Sequence, residues 1–442
     1  MSKMENTSIT KVSKGWNVKT VEQVFDFYPT ATYSRDKQVP KVSSELSIKY
    51  IHYGDIHTQY KMLLDATNTK IPYISRELKK DFEFVKNGDL IIADTSEDYD
   101  GVGKCVEVVN IGDNEIISGL HTLMLRQKGN DFIEGFKGYF FSSDFVRREL
   151  LRIVTGIKVY SITKATLAKV NLTIPSPQEQ KAMMRFFSKV DEAIASVQNS
   201  ITAAERLKKS LMQNLLTGKM KPDGTFRTSE EFYIDEKFGK VPVGWEVKKV
   251  QELSIQVTDG EHQTPERTET GYYLLSARNI KNGYLSLDDV DYISDKELRR
   301  IQKRCNPQGG DILISCSGTI GNVCIVPDGF IGGMVRSAAL VKLNSDKIEP
   351  QFAELMLQSH SLQNQMKVAV ASSVQGNIFQ GAIKKLRLFY PHDKQERIAI
   401  TERLCLFNKE IASMQDKLIV FDRLKKSLMQ NLLTGKVIVR SK

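Results

Sequence analysis

Fourteen residues occur twice without a change: RLKKSLMQNLLTGK runs from Arg206 to Lys219 and again from Arg423 to Lys436. The two copies lie 217 residues apart in a chain of 442, so the sequence is an internal duplication of about half its length. A chain with this feature must fold as two versions of one plan.

The register of the repeat extends upstream of the identity. Met183, Phe187, Val190, Ile194, Val197, Ile201 and Ala204 step by four and three, the spacing of a coiled-coil seam. Leu207, Leu211 and Leu215 resume after an extra step of three, which predicts a stammer. The second copy matches position by position with Ile400, Leu404, Phe407, Ile411, Met414, Leu418, Phe421, Leu424, Leu428 and Leu432, and repeats the same extra step. Both helices are punctuated alike. Ser176-Pro177-Gln178-Glu179 and Asp393-Lys394-Gln395-Glu396 read as capping boxes, and Gly218 and Gly435 stand where a left-handed residue ends a helix. Two apolar stripes of this length in one chain bury each other most simply.

The duplication includes the entrance to each globular part, Gly15-Trp16-Asn17-Val18 and Gly244-Trp245-Glu246-Val247. Asn87-Gly88-Asp89 turns into the apolar strand Leu90 to Ala93, and Gly309-Gly310-Asp311 turns into Ile312 to Ile314. Asp89 and Asp311 are expected to close those turns, and Gly260 and Gly318 to form others. Beyond such marks the inserts share almost nothing, so one frame carries two divergent versions of one job.

The predicted fold is α+β: two mixed α/β domains joined by two long antiparallel coiled-coil helices, with a pseudo-twofold internal repeat. Antiparallel follows from connectivity, since a compact second domain returns the chain near where the first helix ended. The expected order is a flexible N-terminus over 1–14, a first domain over 15–173, a spacer helix over 174–218 and a linker over 219–236. A second domain over 237–391, a second spacer helix over 392–435 and a tail over 436–442 complete it.

Composition narrows the class. No apolar run approaches the roughly eighteen residues that cross a bilayer, and Met1 to Lys14 is polar, so a cytoplasmic protein is expected. Five cysteines without a Cys-x-x-Cys pair suggest neither a disulfide framework nor a zinc site. The net charge of +10 fits a nucleic-acid binder. Catalytic motifs do not emerge. Asn306-Pro307-Gln308 lacks the second proline and the aromatic residue of an amino-methyltransferase loop, and Gly103-Lys104 is followed by Cys105 with Asp98 where a P-loop needs glycine. The six histidines show no metal-ligand spacing, so no metal and no catalytic residue is assigned.

On these residues the chain resembles the specificity subunits of type I restriction-modification systems, over nearly its whole length. The entrances Gly15-Trp16 and Val241-Pro242-Val243-Gly244-Trp245 and the spacer endings Leu211 to Lys219 and Leu428 to Lys436 carry the likeness. So do Asp259-Gly260-Glu261-His262-Gln263-Thr264-Pro265 and Ser317-Gly318-Thr319-Ile320-Gly321. The first half departs from that pattern: it lacks the Asp-Gly-x-His-x-Thr-Pro loop and has Thr95 to Asp100 in place of the second motif.

The resemblance implies a non-catalytic reader of double-stranded DNA. Each target-recognition domain reads one half of a bipartite asymmetric target, and the coiled coil sets the unread gap. Two modification subunits dock on the helices and methylate adenine with S-adenosylmethionine, while restriction subunits translocate and cleave using ATP and Mg²⁺. No cofactor is implied for this chain. The alternative is a coiled-coil scaffold joining two ligand-binding domains without DNA recognition; a third reading is an enzyme with degenerate motifs.

Base edges are told apart by polar side chains that match their donors and acceptors. The candidate reading loops carry Tyr50, His52, Tyr53, Asp55, His57, Ser96, Asp98 and Tyr99 in the first domain. In the second they carry His262, Gln263, Thr264, Arg278, Asn279, Ser317, Thr319 and Arg336. Lys208, Lys209, Lys425 and Lys426 are candidates for phosphate contact or for docking of the modification subunits.

Overall fold

A computed structural model describes residues 16–40, 46–236, 238–371, 373 and 376–438; the expected flexible start over 1–14, Gly15 and the last four residues of the tail lie outside them. The chain divides into two compact units, Met1–Gln198 with Lys417–Lys442, and Asn199–Asp416. Each unit therefore contains one mixed α/β domain, half of one long helix and half of the other.

The long helices are Pro177–Leu215 and Lys394–Leu432, 39 residues each, or about 58 Å at 1.5 Å per residue. The first helix begins with the full capping box that the sequence predicts, the second with its Asp393 cap alone. The Glu179 carboxylate accepts from Ser176 N at 3.1 Å and Ser176 Oγ at 2.7 Å, while Asp393 Oδ1 accepts from Gln395 N at 2.9 Å. Gly218 and Gly435 close the helices with φ of 67° and 69°. Met220 N then donates to Asn214 O, and Val437 N to Asn431 O, at 3.1 Å in each copy.

Each domain begins and ends beside the start of its own long helix. In the first unit strand Asn17–Thr20 pairs antiparallel with Asn171–Ile174; in the second Trp245–Lys249 pairs antiparallel with Arg387–Pro391. The entrance tryptophan then ties this pair to the helix. Trp16 Nε1 donates to Glu179 Oε1, and Trp245 Nε1 to Glu396 Oε1, both at 3.2 Å. Glu396 thus serves Trp245 and Arg227 (2.5 Å) instead of reaching back to the cap residue Asp393, as the capping box predicts.

Within each unit the helix halves run antiparallel and share the domain core. Met183 and Phe187 from the first helix meet Met429, Leu432 and Leu433 from the second among Phe136, Tyr139 and Phe140. In the second unit Leu215, Leu216, Ile400 and Leu404 join Trp245, Phe352 and Phe389. The 4.9 Å stack of Tyr139 on Phe187 shows how a domain ring fills the space beside the helix.

The two domains have one strand order despite their unrelated sequences. In the first, one sheet runs Phe25–Tyr28, Thr122–Gln127, Leu90–Ala93, Cys105–Val109, Leu63–Asp65, and the other Ile116–Ser118, Ser47–Ile51, Tyr73–Ser75, Gln38–Val39. The second repeats these, without a counterpart of the edge strand Leu63–Asp65 among the described residues, as Ser254–Asp259, Ala338–Leu343, Ile312–Ser315, Val323–Ile325 and as Gly332–Met334, Tyr272–Leu275, Asp291–Ile293, Arg267–Thr268. Each second sheet has one parallel pair, Ile116–Ser118 with Ser47–Ile51 and Gly332–Met334 with Tyr272–Leu275. The Gly-Asp turns match too. Asp89 accepts from Lys86 N at 2.7 Å and pairs with Arg126, and Asp311 accepts from Gln308 N at 2.8 Å and pairs with Lys342.

The seam corrects one expectation in each helix. Met183, Phe187, Ile201, Ile400, Leu404 and Ile411 are buried, and Val190, Ile194, Val197, Leu211, Phe407, Met414, Leu418 and Leu428 half-buried. Leu207 and Leu424, placed in the interface by the stammer, are 51% and 44% exposed. The heptad instead runs unbroken from Ala204 to half-buried Lys208 and from Phe421 to half-buried Lys425. A lysine stem lines a seam with its methylenes while the ammonium reaches a partner, so no overwinding is needed. Lys425 Nζ lies 2.6 Å from Asp191 and over the Tyr139 ring. In the second unit Lys208 faces Glu354, whose Oε1 is buried without a hydrogen-bond partner.

Two measurements check this packing. Leu404→Ala is expected to cost about 2–5 kcal/mol, and Leu207→Ala within about 0.5 kcal/mol; equal losses in thermal denaturation would restore the stammer. Burial pushes Glu354 up to about 7, with the Ile325 backbone and Lys208 opposing it. A carboxyl raised in the folded state contributes stability below its ordinary value and loses it as pH rises toward 7. Glu354→Gln should therefore gain on the wild type as pH rises, reaching roughly 1–3 kcal/mol above neutrality. A gap between the two proteins that does not vary with pH would show that Glu354 is not the titrating group.

Candidate nucleic-acid interface

In each domain three chain segments meet at the strand ends where the two sheets adjoin, held by the same backbone hydrogen bonds. In the first, Gly119 N donates to Ile51 O (2.8 Å) and Asp94 N to His121 O (3.1 Å). In the second, Val335 N donates to Leu275 O (2.9 Å) and Cys316 N to Ser337 O (2.8 Å). These bonds depend on the strand pairing and not on side chains, so the junction persists while its residues change.

At the first junction four rings gather. Tyr53 lies 4.5 Å from His52, 5.8 Å from His57 and 5.2 Å from His121 between ring centroids. His57 Nε2 meets Thr95 O at 3.0 Å, which leaves its Nδ1 buried and without a partner. Thr95 Oγ1 donates to Asp94 Oδ1 at 2.7 Å and lies 3.2 Å from His121 Nδ1. His121 itself has φ of 53°, a left-handed conformation uncommon for a residue with a Cβ.

Several predicted readers of this domain are taken up by the fold. Tyr50 is fully buried, donating to Tyr33 O at 2.6 Å and accepting from Leu120 N at 2.8 Å, and burial pushes its pKa up. Gly119 permits this, because a Cβ there would stand 2.3 Å from the tyrosine ring. Asp55 is buried under Arg35 (2.6 Å) and Gln59 (3.1 Å). His52 is buried, its Nδ1 capping a helix by accepting from Gly54 N at 3.1 Å, and burial lowers its pKa. Buried Ser96 accepts from Asp98 N at 3.1 Å to form a turn. Exposed Asp98 accepts from Asp100 N, and Tyr99 donates to Leu151 O against Tyr160, apart from the four rings. Tyr53 and His57 remain at the junction, His57 with one ring nitrogen on Thr95 O and the other buried.

The second junction is polar and cationic. Glu261 N donates to Met334 O at 2.8 Å and Arg336 N to Glu261 O at 3.0 Å, which sets the His262 loop beside Arg336. Ser337 Oγ accepts from Ala277 N at 3.0 Å and brings in Arg278, while the Cys316 bond brings in Ser317. The predicted loops of this domain therefore converge. His262, Gln263, Thr264, Thr319 and Arg336 are exposed, and Arg278 pairs with Asp291 at 2.8 Å. Asn279 is the exception. It is buried, with its amide shared among Ser276 N, Ser286 O and Asp289 O, so it clamps a loop.

Residues that the sequence did not single out complete both sites. Asp94, Thr95 and His121 join the first from chain positions far from Tyr53. Asp259, Glu261, Arg300 and Arg304 join the second: Arg304 lies 2.7 Å from Asp259 and 3.0 Å from His262, and Arg300 3.0 Å from Glu261. Asp259 and Glu261 precede His262 within the Asp259 to Pro265 motif, which was the available signal. The arginines lie on and after helix Asp295–Gln302, about forty residues away, and nothing local marked them.

The repeated helix endings line a cleft in each unit. One of about 870 Å³ lies between Lys425 and Lys426 and the Lys61, Lys104 and Arg148 side of the first domain. The other, of about 640 Å³, lies between Lys208 and Lys209 and the Tyr284 and Glu354 side of the second. Lys209 and Lys426 are exposed in both. Among the described residues, no group of three or more His, Cys, Asp or Glu side chains is arranged to hold a metal ion, and no helix is long and apolar enough to cross a membrane.

Burial would raise the Asp259 carboxyl, but Arg304 and then His262 hold it below its ordinary value. Its contribution to stability is present above that value and lost as pH falls through the lower folded one, a window below about pH 4. Arg304→Ala should move the Asp259 titration upward by carboxyl-carbon NMR and shrink that acid-side loss; an unmoved titration would mean the guanidinium does not hold it.

Comparison with known proteins gives consistent results. The family model described as type I restriction modification DNA specificity domain matches residues 13–206 and 242–433, once per half. The type I restriction enzyme MjaVIII specificity subunit of Methanocaldococcus jannaschii is 23% identical over 392 residues, covering 84% of this chain and 87% of that protein. Among solved structures, the type I restriction-modification S subunit of M. genitalium aligns over 98% of this chain and 99% of its own with a TM-score of 0.52 and 13% identity. A chain from a study of complex assembly and conformational transition of the type I R-M system aligns over 97% and 100% with a TM-score of 0.58 and 15% identity. At such identities the structures show likeness of fold.

Proposed function

The chain belongs to the type I restriction modification DNA specificity family, and from that premise we propose that it reads a bipartite, asymmetric DNA target, one half per domain. It is the specificity subunit of such a system and is not itself the catalyst. The alternative of a scaffold without DNA recognition has no such family support.

One observation carries the two-part reading: the domains share strand order and junction hydrogen bonds, yet present different side chains there. Tyr53, His57 and His121 stand at the first junction, where His262, Arg278, Arg304 and Arg336 stand at the second. A palindromic target would require matching readers; two unlike readers suit a target whose halves differ. The shared lysines have the complementary logic. Lys209 and Lys426 are identical and exposed in identical helix endings, which fits something met twice in the same way, such as the backbone phosphates or a pair of modification subunits. Those partners would supply S-adenosylmethionine-dependent adenine methylation, and restriction subunits ATP- and Mg²⁺-dependent cleavage.

The paired strands Trp245–Lys249 and Arg387–Pro391 bring the two ends of the second recognition domain side by side, so the segment between them can be exchanged as a unit. Replacing the residues between them with another family domain, in a host that carries the modification partner, should change one half of the methylated motif and leave the other. A motif altered in both halves would refute independent reading, and a single undivided motif in the wild type would refute the bipartite target.

A further inference from the structure

We propose that His121 is a specificity-determining residue of the first domain, and that it presents a hydrogen-bond acceptor to an amino group on a base edge. This rests on the reading that the domains meet DNA at their junctions.

The assignment follows from one proton count. Thr95 Oγ1 has a single hydrogen and donates it to Asp94 Oδ1 at 2.7 Å. Toward His121 Nδ1, 3.2 Å away, Thr95 can then only accept, and Asp94 Oδ1, 3.5 Å from the same nitrogen, is also an acceptor. The ring proton therefore sits on Nδ1, and in the neutral imidazole Nε2 is a bare acceptor. Asp94 and Thr95 fix the ring, Tyr53 flanks it edge-on at 5.2 Å, and the side chain is still 46% exposed. A ring so held is oriented before any ligand arrives.

Two further observations point the same way. His121 holds a left-handed φ of 53° on the three-residue turn between Ile116–Ser118 and Thr122–Gln127. Such strain costs about 1–3 kcal/mol, and glycine would remove it. The turn in the same place in the second domain, Val335 to Ser337, has Ser337 at the position of His121 and carries exposed Arg336 one residue earlier, whose guanidinium only donates. The two domains thus set opposite hydrogen-bonding characters on one turn. In the major groove an arginine meets the acceptors of guanine, whereas an imidazole acceptor meets the exocyclic amino group of adenine or cytosine.

The test compares wild type, His121→Gly and His121→Asn in a host carrying the modification partner, reading methylated adenines by sequencing. Glycine and asparagine both accept the left-handed φ, so the turn is kept. The expected result is that one position in one half-site loses or changes its preference for an amino-bearing base, by about fivefold to tenfold in relative methylation, with the other half-site read as before. An unchanged half-site in both variants overturns the proposal. So does equal relaxation of both halves, or loss of all methylation in both variants, since His121 would then be supporting the fold. Failure of the underlying reading looks different: the wild type itself would yield no two-part motif.

Discussion

The hydrogen bond from an entrance tryptophan to the glutamate in the first turn of a long helix is the contact on which the arrangement depends. Trp16 with Glu179 and Trp245 with Glu396 make it at the same length in both units. Each indole is nearly buried, so its N–H requires a partner, and the helix N-terminus favours a carboxylate beside it. One contact thereby fixes where a domain begins, where its exit strand must pair and how the following helix leaves. The domain interior can then vary without moving its two ends.

That freedom is visible in the junctions. Strand order and the backbone bonds at Gly119 and Val335 are properties of main-chain pairing, indifferent to which side chains project from the turns. Tyr50, Asp55, His52 and Asn279 show the limit of that indifference: polar groups that look like readers are consumed in holding the turns in place. The side chains left to meet a ligand come from segments that only the fold brings together.

The helices combine apolar packing with one charged position in each seam. A lone buried ammonium would be costly, and the two units surround the half-buried lysine differently. Asp191 supplies the counter-charge from the facing helix in one, and Glu354 faces the lysine from the recognition domain in the other. Identical repeat residues thus meet non-identical surroundings, as expected where the helix endings are held constant and the inserts diverge.

The sequence by itself determined the duplication, the two helices with their caps and glycine ends, the Gly-Asp turns and the presence of a mixed α/β insert in each half. All of these are local: periodicity, capping and turn chemistry act over a few residues. It also pointed to the loops of the second domain, because Asp259 to Pro265 lie together in the chain. Tertiary structure alone decided the rest. Whether Leu207 or Lys208 faces the seam depends on what lies opposite, and an apolar pattern does not record a lysine whose stem packs. The meeting of His121 with Tyr53, and of Arg304 with His262, depends on strand pairing across many tens of residues. Such contacts leave no periodic trace, because the hydrogen bonds that create them are made by the backbone.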